Sequence, residues 1–157
     1  MRLICRLLLV LLFANLLIST GCDRAYPDGP TLSFLPREAR VINDWKASLV
    51  ARNDYDDTKL YKYYEFSFTK DSFTWKYKRT LENNPTIDTA EYVRKGAWRL
   101  MRNGRVLQLE KLQGATLGPI IAPYSILQAD INRLANSEMW LRFQIENDYW
   151  DVKLVKK

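Results

Sequence analysis

The stretch YEFSFTKDSFTWKYK, residues 64–78, decides the fold. Aromatic and polar residues alternate on both sides of Thr69-Lys70-Asp71-Ser72, and a period of two belongs to strands. Folding the chain at that turn sets Phe68 against Phe73, Phe66 against Trp75 and Tyr64 against Tyr77, and carries outward to Lys62 against Arg79. A slip of one residue would turn the whole aromatic set to water, so burial specifies the register.

The same period runs to the end of the chain. Strands are expected over 45–53, with Trp45, Ala47, Leu49 and Ala51 on one face, and over 60–69, 72–80, 89–102, 105–112, 127–134, 139–147 and 149–155. Asn103-Gly104 is the strongest two-residue hairpin signal, and it places Trp98 opposite Leu109 and Leu100 opposite Leu107. The last two strands direct Leu141, Phe143 and Ile145, then Trp150, Val152 and Leu154, to the interior. Ahead of them, Pro36 opens a short helix over 37–43, with Leu35, Ala39 and Ile42 at helical spacing. The expected class is all-β: an eight-stranded antiparallel up-and-down barrel with a short N-terminal helix, which leaves no sheet edge exposed. A two-sheet sandwich is the alternative. The turns at 70–71, 103–104 and 135–137 share one end with the helix, whereas longer loops at 54–59, 81–88 and 113–123 gather at the other. One end reads as closed and the other as an open mouth.

The chain resembles the lipocalin-like superfamily of small bacterial calycins. The resemblance is carried by the helix followed by Asn43-Asp44-Trp45, by residues 64–78, by GAWRLMRNGRVLQL at 96–109 and by DINRLANSEMWLRF at 130–143. Asn43 stands where that family usually has the glycine of Gly-x-Trp. The resemblance implies a calyx able to hold one small ligand.

The N-terminus has a different character. Arg2 and Arg6 precede an apolar run over 7–18 and then Ser19-Thr20-Gly21-Cys22. That run is too short for a bilayer core, which needs about 20 apolar residues, and it fits the apolar centre of a signal peptide. It resembles a bacterial lipoprotein signal. The resemblance implies cleavage after Gly21, a diacylglyceryl thioether on Cys22, and acylation of the new amino terminus by a chain such as palmitate. Residues 1–21 are then a signal peptide, 22–33 a lipidated tether interrupted by prolines, and 34–157 the barrel domain. An ordinary signal cut elsewhere, or an uncleaved anchor with Cys22 as a thiol, are the alternatives. Asp23 resembles an inner-membrane retention residue, but lineages differ, so the expected location is a cell envelope, lipid-anchored and periplasm-facing, with inner or outer membrane open.

Loss of the signal takes the net charge from +6 to +4 by removing Arg2 and Arg6, a mild excess that argues against a nucleic-acid partner. Cys5 leaves with the signal and Cys22 is consumed by lipid, so no disulfide is expected. The absence of histidine removes histidine triads, histidine metal sites and imidazole proton shuttles. Asn53-Asp54-Tyr55-Asp56-Asp57 lacks the spacing of a calcium loop, and the glycines of 113–119 lack the ending of a phosphate-binding loop. No catalytic residues, metal or cofactor are therefore expected, and the protein reads as a non-enzyme.

Tyr64, Phe66, Trp75, Tyr77 and Trp98 are the candidate apolar lining, and Lys62, Arg79 and Arg94 are candidate cations on the same inward face. Tail among the rings and anionic head at the cations is the order an amphiphile requires. The same residues read equally as a filled core with rim cations reaching water. Two functions follow as expectations: binding of a small apolar or anionic amphipathic ligand in the barrel, or an envelope assembly role in which loops or the outer face bind a protein partner.

Overall fold

The computed structural model describes residues 26–29, 35–81, 84–113 and 126–157. Helix α1 (Arg37–Val41) is followed by β1 (Asp44–Arg52), the two-residue β2 (Tyr55–Asp56), a single 3-10 turn (Thr58–Leu60), β3 (Tyr61–Phe68), β4 (Phe73–Leu81), β5 (Asn84–Met101), β6 (Val106–Gln113), β7 (Ile126–Leu134), β8 (Glu138–Ile145) and β9 (Asp148–Lys156). From β3 onward every strand pairs antiparallel with the next, β1 pairs with β3, and β1 also pairs with β9, so the eight long strands close into a barrel with β2 as a tab on β1.

The hairpin that decides the fold has the expected pairs Phe68 with Phe73, Phe66 with Trp75 and Tyr64 with Tyr77. Trp98 faces Leu109 and Leu100 faces Leu107 across the second hairpin. There Asn103 and Gly104 both take positive φ (54° and 77°), the backbone that a tight strand-to-strand turn with right-handed twist requires. The inward residues of β8 and β9 are all buried.

The core has two unlike walls. Strands β3 to β5 supply rings in mutual contact, among them Phe66 stacked on Trp75 at 5.2 Å and Tyr77 on Tyr92 at 4.9 Å. Strands β6 to β9 supply mostly aliphatic side chains, including Leu107, Leu134, Met139 and Leu154, all fully buried. Trp75 on β4 reaches Phe143 on β8, four strands away round the barrel, with ring centroids 6.2 Å apart. That contact spans the lumen, so the barrel is filled at its level.

Two bulges alter the expected faces. Between Ala47 and Leu49 the β1–β9 register shifts, and Val50, not Leu49, enters the core opposite Val152. Between Tyr61 and Tyr63 the β3–β4 register shifts as well: Arg79 faces Tyr61, and Lys62 becomes the extra, exposed residue. The expected Lys62–Arg79 pair does not form.

Three other expectations change. In and around α1, Leu35, Ala39 and Ile42 lie in solvent, while Val41 and Arg40 are buried. The loop expected over 81–88 is a continuation of the β4–β5 ladder, with Thr80 opposite Asp88 and Leu81 opposite Asn84. The loop at 54–59 folds back on β1, where Asp57 N–H donates to the Val50 carbonyl at 2.9 Å. The loop at 114–123 lies outside the described residues.

Tyr26–Gly29, expected in an open tether, is packed on the barrel. Tyr26 is 1% exposed and its ring lies near two guanidinium groups, Arg37 at 5.9 Å and Arg40 at 6.0 Å. Asp28 N–H donates to the Asn132 carbonyl at 2.9 Å, and Arg133 Nη1 donates to the Asp28 carbonyl at 2.5 Å. Arg40 Nη1 donates to the Leu134 carbonyl and Trp45 Nε1 to the Val41 carbonyl, fixing α1 beneath the strands.

Candidate functional site

The candidate site lies in the upper barrel, above the Trp75–Phe143 contact. It is built by the inward rows of β3, β4 and β5. Along β4 the row is Phe73, Trp75, Tyr77, Arg79; along β5 it is Gly96, Arg94, Tyr92, each facing its β4 partner: Phe73, Trp75 and Tyr77 respectively. Because strand side chains alternate, every second residue of these rows enters the interior. The bulge at Lys62 adds Tyr61 to the β3 row.

Four tyrosines meet there. Tyr61 packs edge-on to Tyr64 at 5.2 Å and to Tyr77 at 6.1 Å, and Tyr64 stacks on Tyr77 at 5.6 Å. Tyr92 completes the layer against Tyr77. The Arg79 guanidinium lies 5.8 Å from the Tyr61 ring centroid. Arg94 is 6% exposed, a cation held inside the wall. Burial pushes the Tyr77 hydroxyl up to about 12, and Arg94 and Arg79 both pull it back, so both guanidinium groups act on this one hydroxyl. Burial also raises Tyr61, with Arg79 the largest opposing influence, and raises Tyr64 well above the ordinary tyrosine value. These phenols stay protonated at neutral pH and remain O–H donors. The Tyr61 hydroxyl is buried with no hydrogen-bond partner among the described residues.

At the rim, Arg52 faces Trp150, with its guanidinium 5.8 Å from the indole and 3.6 Å from the Asp57 carboxylate. Asp57 is thus turned to Arg52, and Asp56 accepts from Thr58 N–H at 2.9 Å. That bonding holds the Asp56 carboxyl below its ordinary value.

Of the residues singled out in the sequence, Tyr64, Trp75, Tyr77, Arg79 and Arg94 converge in this region. Lys62 points outward on the bulge. Phe66 is packed against Trp75 in the filled level, and Trp98 belongs to the closed end, where its indole donates to the Thr69 carbonyl at 2.9 Å. Cys22 lies outside the described residues. Tyr61, Tyr92 and Arg52 were missed. Tyr92 is legible from the Arg94 row, whereas Tyr61 joins the inward row, and Arg52 the rim over Trp150, only because of bulges that alternation does not announce.

What the arrangement can do is bind. Two guanidinium groups, Arg94 level with Trp75 and Arg79 level with Tyr61, flank protonated phenols on the inward face and provide donors for an anion beside apolar contact for a chain or ring. Among the described residues no group of carboxylate and cysteine side chains is placed to hold a metal ion.

No protein-family model matches the chain, and no curated protein does. Among solved structures it is similar to a redesigned beta barrel, at 8% sequence identity and a TM-score of 0.50, over 80% of this chain and 99% of that one. At that identity the likeness concerns the fold alone. The closed eight-stranded antiparallel barrel fits a lipocalin-like, calycin-type fold, and it is a barrel that could bind a ligand.

Proposed function

We propose that this protein is an envelope lipoprotein, anchored through Cys22, whose barrel binds a small anionic amphiphile in its upper interior. The observation that carries the binding reading is that Arg79 and Arg94 lie on the inward face on either side of Tyr77, Arg79 level with Tyr61 and Arg94 level with Trp75, whose contact with Phe143 closes the lumen there, and that both guanidinium groups act on the Tyr77 hydroxyl. The carboxylate or other anionic head lies at the guanidinium groups and tyrosine hydroxyls; a short apolar portion lies against the rings. Anchoring rests on the sequence alone, on the run ending in Gly21-Cys22.

The test is a paired titration with dodecanoate and dodecanol, which differ at the head. Arg79→Gln with Arg94→Gln should weaken dodecanoate binding by tenfold or more for each change, since hydrogen bonds to charged groups contribute about 1.5–3 kcal/mol, and should leave dodecanol nearly unchanged. Lys62→Gln should alter neither. Equal loss for both ligands, or failure of the unmodified protein to bind either, sinks the reading.

A second reading, partner binding on the outer face, is favoured by one feature. A cleft of about 510 Å³ outside β6 to β9 is bordered by Ile126 and Tyr149, apolar side chains that are half exposed. Loss of partner capture on Ile126→Ser with Tyr149→Ser would support it.

A further inference from the structure

The ladder between β1 and β3 stops halfway up the barrel. β1 pairs with β3 only through Asp44, Trp45 and Lys46, opposite Ser67, Phe66 and Glu65, whereas the β1–β9 ladder runs on to Arg52 and the β3–β4 ladder runs back to Tyr61. Above Lys46 the two strands no longer pair, and residues 53–60 bridge the split. On the β1 side, Tyr55 and Asp56 pair with Arg52 and Ala51, Asp57 N–H donates to the Val50 carbonyl at 2.9 Å, and Val50 N–H donates to Thr58 Oγ1 at 2.8 Å. On the other side, Thr80 Oγ1 of β4 donates to the Leu60 carbonyl at 3.2 Å.

This segment is pinned at its ends and lightly held between them. Asn53 is fixed to β9: its N–H donates to the Tyr149 carbonyl and its Oδ1 accepts from Tyr149 N–H, both at 2.9 Å. Positive φ at Asn53 and Asp54 (49° and 68°), a backbone those two residue types tolerate, turns the chain back. From there to Leu60, Asp54, Tyr55, Asp56 and Lys59 are exposed, and Asp57 alone is buried. Asp57 lies 3.6 Å from Arg52, too far for a hydrogen bond, and its Oδ2 has no hydrogen-bond partner among the described residues. A segment with so little apolar burial opens at a small fraction of the cost of unfolding the barrel. Behind it lies the candidate site. Tyr61 directly follows the segment, Tyr64 adjoins the last paired residue, Glu65, and Arg79 faces Tyr61. Tyr64 and Tyr77 are 4% and 3% exposed, so a ligand reaches these rings only if part of the wall moves.

We propose that residues 53–60 are a gate in the side wall, hinged at Asn53 and Leu60 and latched on β1 by Asp57 and Thr58, through which an anionic amphiphile enters the upper barrel. The entry route rests on the binding reading above; the opening of the segment does not. As the gate lifts, Val50 loses both of its partners, Tyr61 and Tyr64 are reached from the side, and the Arg52 guanidinium, released from Asp57, meets the incoming anion first.

Two measurements test this, with dodecanoate as the probe. Ala51 and Asp56 stand directly opposite in a non-hydrogen-bonded pair, a spacing that a disulfide accepts. In a chain carrying Cys5→Ser and Cys22→Ser, Ala51→Cys with Asp56→Cys ties the gate shut, and Glu138→Cys with Val155→Cys, a pair of the same kind at the closed end, is the control. Oxidation of the gate pair should slow both association and dissociation of dodecanoate at least tenfold, reductant should restore them, and oxidation of the control pair should change neither. Thr58→Val should act in the opposite sense, speeding both rates about fivefold with Kd nearly unchanged, the equivalent of about 1 kcal/mol for one latch hydrogen bond. Unchanged rates in the oxidised gate pair, or a Thr58→Val effect on Kd without faster rates, overturn the proposal. The second measurement is hydrogen exchange without ligand: the Val50 and Asp57 amides should exchange together, faster than those of β8 and β9, and slow when the gate disulfide forms. If dodecanoate does not bind while these amides exchange together, the binding reading and the entry route fail and the opening segment stands. If dodecanoate binds while Val50 and Asp57 exchange as slowly as β8 and β9, the gate fails and the binding reading stands.

Discussion

Removing the Tyr26 hydroxyl should stabilise the protein, while removing the whole ring should destabilise it strongly. The ring is 1% exposed between Arg37 and Arg40, and its hydroxyl is buried with no hydrogen-bond partner among the described residues. Burial of an aromatic side chain covers roughly 150–250 Å², which at about 25 cal/mol per Å² contributes about 4–6 kcal/mol as an upper bound. The desolvated hydroxyl offsets about 1–3 kcal/mol of this. Tyr26→Ala should therefore cost about 3 kcal/mol, and Tyr26→Phe should gain up to about 1 kcal/mol. Urea unfolding of the three proteins at neutral pH measures both, read as shifts in midpoint at constant slope. A Phe variant as unstable as the Ala variant would refute the reasoning, because the hydroxyl would then have to make a bond that this packing does not provide. A neutral Ala variant would show that the segment before α1 is not held on the barrel at all.

Alkaline pH should destabilise the protein earlier than its lysines alone would require. Tyr77 is raised to about 12 when folded, against about 10 unfolded, so its contribution is complete below pH 10 and is lost as pH rises towards 12, an effect of about 2–3 kcal/mol that pH-dependent urea melts would resolve. Gly104→Ala should cost about 1–2 kcal/mol in the same assay, since φ there is +77° and a Cβ would also press on Arg37 Cδ at 2.6 Å; a neutral result would deny the turn its geometry. Cys22→Ser should abolish membrane anchoring and leave unprocessed or mislocalised precursor, seen by fractionation and intact mass; normal cleavage with retention in the membrane would remove the lipoprotein reading.

Burial written into alternation made most of the barrel legible. Residues 64–78 state their own register because every inward position carries a ring, and Asn103-Gly104 states its turn because few other pairs accept consecutive positive φ. Two classes of feature were not legible. Bulges insert one residue without any change of composition, so Lys62 read as inward by simple counting, and Tyr61 and Arg52 were passed over. The helix misled for the opposite reason: Leu35, Ala39 and Ile42 are spaced to pack, yet a helix this short buries only what touches the barrel base, and that is Val41 and Arg40. Tyr26 was hidden among prolines and charges that read as linker. The candidate site was half visible: Arg79, Arg94 and Tyr77 were found on the inward face, but the filled level was not, because the Trp75–Phe143 contact joins strands opposite one another in the closed barrel.

The central claim is that an anion is held inside the barrel by Arg79 and Arg94. The direct measurement is an NMR titration of dodecanoate into protein labelled at arginine Nε. Saturable shifts are expected at the Arg79 and Arg94 Nε–H signals, with Arg99, Arg102 and Arg142 on the outside unmoved. Shifts confined to those outer arginines, or no shift at any of them, would contradict it.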